Sequence, residues 1–223
     1  MNKYDLIIFD CDGTLMDTEA LYNTVTSEVL TEYGLEGYTP EKCLNDFNGR
    51  SWQKIKEIID EENNIDLPQS VIQNYIDRSN ERIENDLDLV TGVYDFLVWA
   101  NDNFKICIGS NGERGNVTKS VTLTGIDSFF QEENTFTKIQ VANAKPAPDL
   151  FLFAAEKMRC DPAKCLVLED SVSGAKAGVA AGMDVFGFTG VAHDKKAADS
   201  ALKEVGTLQN FDDFIHIRQV LEA

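Results

Sequence analysis

Four short apolar runs, each cut off by polar residues, constrain this chain more than any other feature. They are residues 4–9 (Tyr-Asp-Leu-Ile-Ile-Phe), 105–109 (Lys-Ile-Cys-Ile-Gly), 165–168 (Cys-Leu-Val-Leu) and 184–188 (Asp-Val-Phe-Gly-Phe). Short continuous apolar runs of this kind suit strands whose sheet is covered on both faces. Helical patterns separate the later runs, over 115–123, 148–158 and 171–181. In 148–158 a proline stands near the start, and Leu150, Phe151, Phe153, Ala154 and Ala155 supply the apolar positions. The alanine-rich 171–181 ends before Gly182, a C-cap signal. Residues 211–221 predict a closing helix. Alternating strands and helices imply an α/β fold with a parallel sheet, its ligand sites at the carboxyl ends of the strands.

One stretch breaks the alternation. Residues 18–88 are charged, rich in Glu, Asn and Ile, and show helical periodicity without a strand, as in 51–63 and 71–83. This predicts a small helical domain over 18–88, inserted after the first strand of a core domain formed by 1–17 and 89–223. A chain of 223 residues with 43% hydrophobic and 9% aromatic content can bury such a core.

Charge narrows the partners. With 38 acidic against 20 basic residues the formal net charge is −18, a surface that repels nucleic acid and anionic membranes. It repels phosphorylated metabolites too, so a phosphate site here needs a divalent cation and well-placed Lys or Arg. The five cysteines, Cys11, Cys43, Cys107, Cys160 and Cys165, include no Cys-x-x-Cys pair and suit a reducing compartment. A lone Lys3 before a short apolar run is neither signal peptide nor membrane span, so a cytoplasmic location is expected. The pattern is compatible with a monomer.

Chemistry-bearing residues fall at the ends of the expected strands. Asp10-Cys11-Asp12-Gly13-Thr14-Leu15 places two carboxylates two residues apart at a strand terminus. Hydrolysis of a phosphomonoester needs a nucleophile, a proton for the departing alkoxide and neutralisation of phosphate charge. Asp10 can attack phosphorus. Asp12 can protonate the leaving oxygen and then deprotonate water. Gly13 lets the backbone approach a ligand closely. Ser110-Asn111-Gly112 follows the second strand, where a hydroxyl and an amide can bond phosphoryl oxygens. Lys145, before Pro146-Ala147-Pro148, offers an ammonium to span phosphate and Asp10. Glu169-Asp170 closes the third strand, and with Asp10 these acids form an oxygen-rich set suited to Mg²⁺. Taken singly, each has a bland reading as a turn acid or a helix-start residue. Their recurrence at successive strand ends argues for one site.

These residues resemble the motifs of the haloacid dehalogenase superfamily of phosphotransferases. The first motif is similar to residues 10–15, the second to Ser110, the third to Lys145 and the fourth to Glu169-Asp170, and the inserted segment resembles the superfamily's helical C1 cap. The resemblance implies a Rossmann-like core with Asp10 as nucleophile, Asp12 as acid/base, and Lys145 and Ser110 orienting the phosphoryl group. It implies Mg²⁺ held by the Asp10 carboxylate, the Asp12 main-chain carbonyl and Asp170, with Glu169 as a further direct or water-mediated ligand. Lys145-Pro146-Ala147-Pro148-Asp149 and residues 169–175 look like the branch of β-phosphoglucomutases and sugar-phosphate phosphatases, 6-phosphogluconate phosphatases among them.

Within that resemblance, members that cleave halides or phosphonates lack an acid at the place of Asp12, so phosphate esters are expected. β-Phosphoglucomutases carry a cap histidine about a dozen residues after the nucleophile. Here Tyr22 stands near that place, and His193 and His216 both come late. A phosphatase for a small phosphorylated metabolite, a sugar phosphate or sugar-acid phosphate, is therefore expected. A phosphosugar mutase and a non-catalytic phosphate-binding regulator are the alternatives. On the substrate side we expect Asn111, Gly112, Gly49 and Arg50, the last binding a polar or carboxylate group; its bland reading is a solvated arginine at a helix start. Glu113 and Arg114 are weaker candidates, and Cys11, Trp52 and Trp99 read as packing residues.

Overall fold

The computed structural model describes residues 3–47 and 50–223. Contacts divide the chain into two compact units, one of Met1–Asp17 with Asp88–Ala223 and one of Thr18–Leu87.

The larger unit is built on a six-stranded sheet in the order β3-β2-β1-β4-β5-β6. The strands are β1 (Leu6–Phe9), β2 (Lys105–Ser110), β3 (Thr135–Thr137), β4 (Cys165–Glu169), β5 (Asp184–Phe188) and β6 (Gln209–Phe211). Every pairing is parallel. β1 lies in the middle, Phe9 level with Ile108 on one side and Leu168 on the other. The chain fills one half of the sheet through β3 and then crosses to start the other beside β1. That reversal opens a crevice at the carboxyl ends of β1 and its neighbours.

The smaller unit is helical: α1 (Thr18–Glu32), α2 (Pro40–Phe47), α3 (Trp52–Asn63) and α4 (Ser70–Asp86). α3 starts at Ser51, whose Oγ accepts from the Lys54 N–H at 3.4 Å, and stops at Asn64, in left-handed conformation at φ 52°. Arg78 and Arg82 of α4 pair with Glu28 and Glu32 of α1. Trp52 packs on Tyr75 at 4.7 Å between ring centroids, and Tyr75 meets Tyr22 at 6.4 Å.

The remaining helices belong to the larger unit: α5 (Val93–Asn103), α6 (Arg114–Leu123), α7 (Asp149–Lys157), α8 (Val172–Ala180), α9 (Lys195–Glu204) and α10 (Phe214–Glu222). β1 is fully buried because successive side chains meet different layers. Leu6 and Ile8 join Leu150, Phe151, Ala154 and Ala155 of α7 with Ala175 and Ala177 of α8. Phe9 meets Phe96 of α5 and Phe130, each at 6.0 Å. Phe214 of α10 continues that layer against Phe96 and Phe188.

The four expected strands are present within two residues of their expected ends, but the sheet has two more. β3 (Thr-Phe-Thr) and β6 (Gln-Asn-Phe) are three-residue edge strands with one apolar residue each, too short for a period to show. α5 and α9 likewise add to the helices that the sequence pattern marks.

Candidate active site

Asp10 follows β1, and its N–H donates to the Leu168 carbonyl at 2.9 Å, which fixes it beside the end of β4. β2 ends at Ser110 and β4 at Glu169, so the sheet's order alone brings the first, second and fourth motifs to one edge. Lys145 enters from the segment before α7. Its Nζ donates to Asp10 Oδ1 at 2.6 Å and Glu169 Oε1 at 2.9 Å, and lies 4.7 Å from the centre of the Phe151 ring. The Lys145 and Glu169 side chains are 2% and 1% exposed.

Two contacts hold the main chain of Lys145. Its N–H donates to Asn111 Oδ1 at 3.1 Å, and Asn111 Nδ2 donates to its carbonyl at 3.2 Å. The Asn111 amide expected to face a ligand is thus engaged with the protein, and the Lys145–Pro146 peptide is cis. Ser110 is 1% exposed, and its Oγ accepts from the Gly112 N–H at 2.9 Å, which leaves its own proton to donate. A Cβ on Gly112 would stand 3.1 Å from Ser110 Oγ and 3.8 Å from Asp12 Oδ2, so these three residues share one small space.

Asp170 accepts from Thr14 Oγ1 on Oδ1 at 3.0 Å. Gly13, at φ 80°, lies so close that a Cβ there would be 2.4 Å from Asp170 Oδ2. Both the left-handed turn and the contact require glycine at this position. Carboxylate oxygens of Asp10, Glu169 and Asp170 lie within 4.8 Å of one another, an all-oxygen set that fits a hard divalent cation.

Burial sets the electrostatics. It pushes the Asp10 carboxyl well above its ordinary range, with Lys145 pulling against it and Glu169 adding to it. Asp170 is pushed up by burial and then by the charges of Glu169 and Asp10. Asp12 is exposed at the surface, yet the protein mass around it lifts its carboxyl, against Lys145. Burial pulls the Lys145 ammonium down, but Asp10 and Glu169 more than reverse it and hold it charged. An excess of buried acid beside one lysine is a standing demand for more positive charge.

A family model for haloacid dehalogenase-like hydrolases matches residues 7–188, a span that takes in all four motif segments. The chain belongs to this family. The 6-phosphogluconate phosphatase of Escherichia coli K12 is similar to it, 27% identical over 196 residues that cover 87% of each chain. The E. coli fructose-1-phosphate phosphatase YqaB is 30% identical over 183 residues, covering 82% of this chain and 95% of its own. A family hydrolase from Deinococcus radiodurans R1, crystallised with bound phosphate and sodium, superposes with a TM-score of 0.89 at 26% identity, covering 99% and 96% of the two chains.

In this haloacid dehalogenase-like hydrolase the other expected site residues are distributed as follows. Arg50 is exposed, its N–H on the Phe47 carbonyl, and Gly49 lies outside the described residues. Glu113 pairs with Lys138 at 2.9 Å, and Arg114 pairs with Glu132 at 3.2 Å, as helix-start residues on the surface. Cys11 is 1% exposed and burial pushes its thiol up, as for an inert structural cysteine. Three contributors escaped sequence reasoning: Thr14, bonded to Asp170; Ser171, whose N–H and Oγ both reach Glu169; and Phe151 beneath the Lys145 ammonium. Thr14 and Ser171 adjoin motif acids and offered a weak signal. Phe151 read as one apolar position of a helix. Among the described residues, no helix is long and apolar enough to cross a membrane.

Proposed function

We propose that the chain is a Mg²⁺-dependent phosphatase that hydrolyses a small phosphorylated sugar or sugar acid through an aspartyl phosphate on Asp10. The Lys145 ammonium, buried between Asp10 and Glu169, carries this reading. A buried cation touching a strand-end carboxylate places positive charge where a phosphoryl group would meet its nucleophile. Both E. coli relatives are phosphatases of phosphorylated sugars or sugar acids, which supports the reaction class and the substrate class.

Asp10 attacks phosphorus with the oxygen not bonded to Lys145, and the ester P–O bond breaks. Asp12, whose carboxyl burial lifts against the pull of Lys145, gives a proton to the departing alkoxide. As a carboxylate, Asp12 then takes a proton from the water that attacks the aspartyl phosphate, releasing inorganic phosphate and restoring Asp10. Ser110 and Lys145 donate to the phosphoryl oxygens as these gain charge. Asp10, Asp170 and the Asp12 main-chain carbonyl, with Glu169 as a further direct or water-mediated ligand, would hold Mg²⁺, which would supply the remaining positive charge.

Tyr22, where the mutases carry a histidine, packs its ring near Tyr75, which supports water as the final acceptor. Residues 18–88 act as the cap that selects the substrate, and the exposed Arg50 binds a carboxylate or hydroxyl of it.

A phosphate-release screen over phosphosugars and phosphosugar acids, with Mg²⁺ and again with chelator, tests the proposal. We expect release that stops with chelator. Isomerised sugar phosphate without free phosphate would favour the mutase instead. An unchanged KM across the panel in Arg50→Ala would remove Arg50 from the substrate site.

A further inference from the structure

Buried polar groups in a folded chain find partners, and the few that do not call for an explanation. Two such groups lie in the helical unit. Trp52, the first residue of α3, is 9% exposed, and its indole Nε1 has no hydrogen-bond partner. Ser79 of α4 is 5% exposed, and its Oγ has none either. Val71, Tyr75 and Ser79 recur every four residues along α4 and so share one face, with Val71 and Ser79 buried. Such a place in a packed helix is ordinarily apolar. Serine there is not needed for packing, and an unpaired hydroxyl costs stability.

Tyr75 links the two groups. Its ring packs on Trp52 at 4.7 Å between centroids, and Ser79 lies one turn further along α4. Burial raises the Tyr75 phenol, while Ser79 and then Trp52 pull it the other way, so both donors sit near its oxygen without closing a bond. Tyr22 of α1 adjoins, 6.4 Å from Tyr75. Polar ends from two helices thus converge among aromatic faces.

We propose that Trp52, Tyr75 and Ser79 form a subsite for a hydroxyl of the substrate's sugar portion, with the Trp52 N–H and the Ser79 hydroxyl as donors. An alcohol oxygen can accept from both. The donors are neutral and set between aromatic rings, which suits an alcohol better than a phosphate. Tyr75, only half-buried, is the member of the set that can turn aside to admit it. Buried donors left unpaired by a ligand without the right hydroxyl penalise that ligand, which is how hydroxyl-reading sites discriminate most sharply. The inference rests on the functional reading above, which makes residues 18–88 the cap, and Trp52 closely follows Arg50 there.

Two measurements decide it. The chain has two tryptophans, Trp52 and Trp99, so ¹⁵N-labelled protein gives two indole N–H signals, assigned through Trp52→Phe. Mg²⁺-loaded Asp10→Asn is titrated with hexose phosphates, pentose phosphates and their aldonic acids. At least one should move the Trp52 proton downfield as it gains an acceptor. Trp99 should stay, and inorganic phosphate alone should move neither. In steady-state kinetics, Trp52→Phe keeps a ring against Tyr75 and Ser79→Ala keeps the helix. Each should lose about tenfold in kcat/KM on the best phosphosugar, mostly through KM. Each should change little on p-nitrophenyl phosphate, which has no sugar hydroxyl. A Trp52 signal unmoved by every phosphosugar, or moved equally by inorganic phosphate, would overturn the proposal. Equal losses on the two substrates, or no loss on either, would do the same. A Trp52 shift with a phosphosugar, in a protein whose parent releases no phosphate from any substrate, would fail the functional reading alone.

Discussion

Both ends of the parallel sheet hold a lysine between an acid and an aromatic ring, with opposite consequences. At the amino end, Lys3 bonds Asp184 at 2.8 Å and lies 5.0 Å from the Tyr4 ring centre, while Tyr4 also donates to Asp184 at 2.8 Å. At the carboxyl end, Lys145 bonds Asp10 and Glu169 over the Phe151 ring. The contacts are nearly the same, but the Lys3 side chain is 64% exposed and that of Lys145 2%. Water screens the first group, so it holds two pieces of surface together at small gain. The second has lost its hydration and is kept at a cost that structure alone does not require. Sites that strand charge in the interior are where chemistry is to be sought.

The acids at the two ends also differ in sign. Burial raises Asp184, but the Lys3 and Tyr4 bonds more than reverse it, so its carboxyl sits below the ordinary range. Asp10, Asp12 and Asp170 all sit above theirs. A depressed carboxyl adds stability that is present above its unfolded pKa and lost as pH falls through the folded one. A raised carboxyl does the reverse: its contribution is full below the unfolded value, about 4, and is lost as pH rises through the folded value.

Apart from changes to the nucleophile itself, the largest effect should come from Asp12→Asn. Without a proton donor for the alkoxide, turnover should fall by about 10³-fold while thermal stability barely moves. Steady-state kinetics beside a melting curve would check both. Lys145→Ala should strike the comparison at its centre, because it leaves two buried carboxylates without their cation. We expect a loss of about 3 kcal/mol in denaturant unfolding together with at least about 10²-fold in turnover.

Asp170→Asn separates the pH signs. In chelator it should raise the melting temperature at pH 8 and change it little at pH 4.5, since it removes a carboxyl that destabilises the fold only once ionised. With Mg²⁺ the order should reverse, the parent gaining stability and the variant not. The smallest effect belongs to the amino end. Lys3→Ala should cost at most about 1 kcal/mol, and less in high salt. A loss from Lys3→Ala as large as that from Lys145→Ala would break the distinction between the two edges.

The sequence revealed the carboxyl edge well because a strand covered on both faces must be apolar throughout and must then stop. Asp10, Ser110 and Glu169-Asp170 follow such runs directly, and β1, β2 and β4 are neighbours. The sheet's outer strands were hidden because three residues with one Phe each carry no period. The roles of Asn111 and Phe151 were hidden for another reason. Asn111 bonds main-chain atoms 34 residues away, and no residue pattern encodes that. Phe151 serves the α7 core and the Lys145 cation with one ring, and only the first duty shows as helical periodicity. Glu169 and Asp170 look interchangeable as adjacent acids, and only their bonding partners tell them apart.

The proposed hydrolysis turns on an aspartyl phosphate at Asp10. The direct measurement is rapid acid quench of the Mg²⁺-loaded protein during turnover of its best phosphosugar, borohydride reduction of any acyl phosphate, and mass spectrometry of the peptide containing residues 10–14. We predict that Asp10 is converted to homoserine during turnover, that no conversion occurs without substrate, and that Asp10→Asn abolishes both labelling and phosphate release. Phosphate release at the parent rate from Asp10→Asn, or turnover with no reducible acyl phosphate at residue 10, would contradict the account.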